Sequence, residues 1–83
     1  MKLELTLDSP AIYQIEVQGY LEEHWSDWLD GMALHPQISE DGIKVTHLTG
    51  AIIDQAALHG LLRKIYDLGL PLLSVNCIDQ NQV

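Results

Sequence analysis

Only one cysteine, Cys77, occurs in the sequence, so no intramolecular disulfide can form. Basic side chains are almost as scarce, four against twelve acidic ones, for a formal charge of −8. No basic patch is available to replace counterions on phosphate, which argues against nucleic acid and against an anionic membrane surface. No apolar run reaches membrane length and no signal peptide is visible, so the expected location is cytoplasmic. Catalytic patterns are missing too. The four histidines, His24, His35, His47 and His59, form no HxxxH pair and have no cysteine pair beside them, so zinc spacing is absent. No Ser-His-Asp or Cys-His arrangement can be placed, and Leu48-Thr-Gly50-Ala51 has too few glycines for a phosphate loop. The sequence therefore names no catalytic residue, no metal ligand and no cofactor.

What is present suits a small folded domain. Nearly half the residues are hydrophobic, which excludes disorder, and 83 residues make one domain near the lower limit for a self-sufficient core. The clearest unit is Thr49–Val75. Asp54 follows the apolar run Ala51–Ile53 and reads as a helix N-cap. Leu58, Leu61, Leu62, Ile65 and Leu68 then recur at helical spacing. Gly69 suits a left-handed C′ position, with Leu70 folding back on Ile65, and Pro71 stops the helix. Leu72–Ile78 follows as an apolar strand, with Cys77 expected as a buried, inert thiol.

Earlier in the chain, Leu3, Leu5 and Leu7 alternate with polar residues, as in a strand that is paired, loosely attached or donated to a neighbour. Tyr13, Ile15 and Val17 alternate with Gln14, Glu16 and Gln18 in a second run, and Gly19 suggests a bulge or a close approach at its end. Leu21, Trp25, Trp28, Leu29 and Met32 recur at the spacing of one helical face. His35-Pro36 reads as a break, Gln37–Ser39 as a strand, Glu40-Asp41-Gly42 as a hairpin turn and Lys44–Ile53 as the returning strand. The expected fold is α+β, a ferredoxin-like split βαβ of order β-α-β-β-α-β, with helices on one face of an antiparallel sheet. Its core would run from about 13 to 78, with residues 1–12 as an arm or extra N-terminal strand.

Several segments also resemble a group of small bacterial proteins of uncharacterised function. They are Tyr13-Gln-Ile-Glu-Val-Gln-Gly19, the Trp25-Ser-Asp-Trp28 block, Leu48-Thr-Gly50, Asp54-Gln-Ala-Ala-Leu-His-Gly-Leu-Leu62 and Asp67-Leu-Gly-Leu-Pro-Leu-Leu-Ser-Val75. The resemblance implies no activity, cofactor or catalytic residue.

Three places are candidate interface or ligand sites. His59, Gly60 and Arg63 share the long helix, where Gly60 costs roughly 1 kcal/mol relative to alanine. Close approach of another backbone, from the short helix or a second subunit, would account for that glycine. Trp25 and Trp28 supply either core volume or an aromatic pocket. His47 falls with Gln14, Glu16, Gln18, Thr49, Ser74 and Asn76 on the sheet face turned away from the helices. The expected function is a non-enzymatic homo-oligomeric interaction or regulatory domain. The alternatives are a small dimeric ligand-binding protein or cofactor-independent enzyme of ferredoxin-like type, and an acidic partner of a basic protein.

Overall fold

In the computed structural model, which describes residues 5–79, the alternation around Tyr13 is realised as strand β1, Ala11–Gln18. Ala11, Tyr13, Ile15 and Val17 are buried, while Ile12, Gln14 and Glu16 stand half-buried on the opposite side. Strands β2 (Ala33–Ile38), β3 (Lys44–Ile52) and β4 (Leu72–Asp79) complete a four-stranded sheet in the order β2-β3-β1-β4. Each neighbouring pair is antiparallel. One α-helix, α1 (Gln55–Asp67), joins β3 to β4 across β1, and a 3₁₀ turn (Glu23–Ser26) joins β1 to β2 across β3. The protein is thus α+β, with one α-helix among the described residues.

Both ends of α1 are built as its sequence requires. Asp54 Oδ1 accepts from the Ala57 N–H at 2.8 Å, which satisfies one of the donors that the first turn leaves open. Leu58, Leu61 and Ile65 are buried against the sheet, with Leu62 and Leu68 half-buried beside them. Gly69 has φ +78°, and its N–H donates to the Tyr66 carbonyl while that of Leu70 reaches the Ile65 carbonyl. This pair of bonds is the Schellman pattern, and it accounts for the end of the helix at Asp67, four residues before Pro71.

The expected helix over Leu21–Met32 is where the structure departs most from the pattern. The chain makes one 3₁₀ turn and then irregular turns that end at Asp30 (φ +60°) and Gly31 (φ +77°). Two consecutive left-handed residues cannot continue a right-handed helix. Ser26 fastens the bend: its Oγ donates to the Met32 carbonyl at 2.7 Å and its own carbonyl accepts from Gly31 N–H. Leu21, Leu29 and Met32 nonetheless reach the core. Helical spacing reported which residues go inward and not the backbone that takes them there.

His35-Pro36 does not break the chain but lies within β2. Ser39 N–H donates inward to the Ile43 carbonyl, and alternation along the strand turns the backbone groups of Gln37 and His35 the same way. Pro36 therefore faces outward, where its missing N–H removes nothing from the β2–β3 ladder. An edge strand is the place in a sheet where proline is tolerated.

Two further expectations change near the start. Leu5 and Leu7 lie in no strand, and Leu7 is 77% exposed, so the alternating pattern there is not a buried face. Leu3 falls outside the described residues. The Leu7 carbonyl instead accepts from Gln55 N–H at 2.9 Å, meeting another open donor of α1. Gly19 behaves as expected: with φ +135°, a Cβ on it would lie 2.7 Å from Leu70 Cδ2. Cys77 is half-buried, packed against the core as a free thiol.

Candidate functional site

The residues singled out from sequence fall in three separate places. Trp25 packs against the core and meets Trp28 edge-on, with ring centroids 6.0 Å apart. Trp28 is 43% exposed, so the pair is half core and half surface. Lys64 of α1 closes over it: Nζ donates to the Trp28 carbonyl at 3.0 Å and to Asp30 Oδ1 at 2.8 Å, and lies 5.6 Å from the Trp28 ring centroid. Lys64 thus ties the irregular segment to the helix. Its exposure holds the ion pair itself to no more than about 1 kcal/mol. A cleft of about 190 Å³ lies nearby, lined by Asp30, Met32, Ile52, Ile53, Ala57 and Leu61 rather than by the indoles.

His59, Gly60 and Arg63 lie on the exposed side of α1. The close approach expected at Gly60 is not made by any described residue of the chain, because a Cβ there would meet nothing within 4 Å. Arg63 is engaged locally, with Nε 3.4 Å from Asp67 Oδ1 and its guanidinium 5.6 Å from the Tyr66 ring centroid. The patch remains a solvent-facing surface.

His47 lies on the far side of the sheet, in register with groups from all four strands. His35 opposes His47, Glu16 opposes His47, and Ser74 opposes Glu16. Opposite residues in a sheet have their Cβ atoms about 5 Å apart, so these four side chains form one row. His47 Nε2 lies 3.3 Å from Glu16 Oε2, an ion pair whenever the imidazole is protonated. The next row is Ala33, Thr49, Gln14 and Asn76. Of the acidic residues among those described, Glu16 stands within this face and Asp79, opposite Ile12, at its margin. Glu22, Glu23, Asp27 and Asp30 lie in the β1–β2 connection, and Glu40 and Asp41 at the β2–β3 hairpin tip. The helix-free face is therefore poor in charge within a strongly acidic chain. Among the described residues, no three His, Cys, Asp or Glu side chains are grouped to hold a metal ion.

Thr46 was not marked by its sequence, where it reads as one more strand residue. It is fully buried, donating from Oγ1 to the Gly19 carbonyl (2.8 Å) and accepting from Leu21 N–H (3.0 Å). The bend that carries the chain out of β1 hangs on this hydroxyl. Gln55 Nε2 likewise donates to the Tyr13 hydroxyl at 2.6 Å, holding the first turn of α1 to β1.

A family model described as a domain of unknown function, DUF8691, matches residues 12–76, most of the chain. The chain belongs to the DUF8691 family. The DUF8691 span runs from β1 through the greater part of β4, and so takes in the whole His35–His47–Glu16–Ser74 row and both tryptophans. No curated protein and no solved structure matches the chain. No helix among the described residues is long and apolar enough to cross a membrane.

Proposed function

We propose that this DUF8691 protein is a non-enzymatic, self-associating interaction domain of the ferredoxin-like type. The strand order β2-β3-β1-β4 with two split crossovers supports the fold reading, the first helix being reduced to a 3₁₀ turn. The group of small bacterial proteins that carry a Trp25-Ser-Asp-Trp28 block belongs to the same reading. One observation carries the function: the far side of the sheet, which no described helix covers, is where the acidic charge of the described residues is thinnest. Two copies each carrying −8 repel one another, and contact is cheapest where that charge is lowest. Exposed apolar residues on the sheet strands, including Leu72, Leu73 and Ile78, add surface that gains from burial.

Sedimentation at micromolar concentration tests the reading. The expected result is a dimer or larger species that holds or strengthens as salt screens the repulsion. A strict monomer overturns it. A complex with a basic protein that dissolves as salt rises would favour the acidic-partner reading instead. The cleft of about 190 Å³ beside Asp30 and Met32 favours, as a second reading, a small apolar ligand with one polar group. It ranks lower because ligand pockets usually span about 300–1,000 Å³.

A further inference from the structure

The two edges of the sheet are not equivalent. Gln18 N–H donates to the Pro71 carbonyl and Gly19 N–H to the Lys44 carbonyl, so backbone groups of alternate β1 residues turn toward β4 and toward β3. Gln14 and Glu16 share the phase of Gln18, and they oppose Asn76 and Ser74. Ser74 and Asn76 therefore spend their backbone groups on β1, while those of Val75 and Cys77 turn outward. Among the described residues nothing pairs with that outer edge. At the other edge, Pro36 occupies an outward position in the middle of β2 and removes a donor. β4 contains no proline and no charged residue from Leu72 to Ile78; its register against β1 shifts at Leu73 and at Ile78, and between these two irregularities Ser74–Cys77 runs as a regular strand with Val75 and Cys77 outward. Sheet edges are normally blunted by charge, proline, bulges or a cover; among the described residues the stretch between the two irregularities has none of these, and half-exposed Leu72, Leu73 and Ile78 flank it.

We infer that β4 pairs antiparallel with β4 of a second copy, joining two sheets side by side about a two-fold axis. This rests on the self-association proposed above and places the contact at the β4 edge of the sheet rather than across its far face. The occupant is a second copy because the contact is self-complementary. Under a two-fold axis the regular stretch Ser74–Cys77 offers its copy the same outward donors and acceptors at Val75 and Cys77, and residues 72–78 bring no charge to a meeting of two acidic chains. Pairing would also cover Leu72, Leu73 and Ile78.

The test places at Val75 the block that Pro36 supplies at β2. Val75→Pro removes an outward donor and leaves the β1-facing groups of Ser74 and Asn76 in place. The expected result in sedimentation equilibrium is a dimer constant weakened at least tenfold with an unchanged far-UV spectrum. A folded Val75→Pro variant that dimerises as tightly as the wild type overturns the edge inference and leaves self-association standing. A monomeric wild type overturns both. If Val75→Pro fails to fold, amide exchange on the wild type decides. Val75 and Cys77 N–H groups that exchange slowly when concentrated and rapidly on dilution support the pairing. Exchange that does not depend on concentration overturns it.

Discussion

Gly60 offers the sharpest measurement on the helix. It lies in the interior of α1, exposed, and an added Cβ would meet no atom within 4 Å. Alanine there meets no clash and restricts the unfolded chain, so Gly60→Ala should stabilise the protein by about 1 kcal/mol. For a domain of this size that corresponds to a rise in Tm of roughly 4–8 °C. Thermal melting by circular dichroism, run at several protein concentrations, reads the effect directly. Gly19→Ala is the control of opposite sign. Its φ of +135° and the 2.7 Å approach to Leu70 Cδ2 both penalise a methyl group. A fall in Tm for Gly60→Ala would refute the reasoning, since no described residue lies close enough to produce it. A fall confined to high concentration would instead move the assembly surface from the sheet to the helix face of His59, Gly60 and Arg63.

The other expectations concern the core and its ties. Leu61→Ala removes a fully buried side chain and should cost about 2–5 kcal/mol in urea unfolding, more than Leu62→Ala, whose side chain is only half-buried. Thr46→Val keeps the shape and leaves the Leu21 N–H and Gly19 carbonyl without their partner, so chemical denaturation should show a loss of about 1–3 kcal/mol. Lys64→Ala should cost no more than about 1 kcal/mol yet alter the fluorescence of Trp28, which loses the ammonium over its ring; an unchanged spectrum would count against that contact. Ser74→Pro removes a donor facing β1 and should cost the fold far more than Val75→Pro, as compared by thermal melting.

The legible parts of this sequence are those where local chemistry and burial agree. Asp54, the leucine stripe and Gly69-Leu70 each act on neighbours within a turn or two, and α1 forms as its residues indicate. The far face of the sheet was legible as well, because a period of two fixes which of Gln14, Glu16 and His47 share a side. What was not legible depends on partners distant along the chain. Thr46 is marked out by Gly19 and Leu21, more than twenty residues away. The Leu21–Met32 segment has the period of a helix, but left-handed Asp30 and Gly31 and the Ser26–Met32 bond turn it before a helix can extend. Pro36 looked like a terminator because its effect depends on whether its nitrogen faces a neighbouring strand, which spacing alone does not record. Gly60 differs again: a glycine in a helix suggested a close neighbour, and no described residue of the chain supplies one.

Pro36 has a bearing on growth. A sheet with two open edges can add copies at both ends and lengthen without limit, which is the geometry of a fibril. Here the outward row of donors in β2 is interrupted at its middle, whereas β4 keeps a regular outward stretch at Val75 and Cys77. Once two β4 strands have met, each end of the joined sheet is a β2 strand with Pro36 on its rim. Stopping at two then needs no further contact, because a single imino ring at each terminus denies the next copy a continuous ladder.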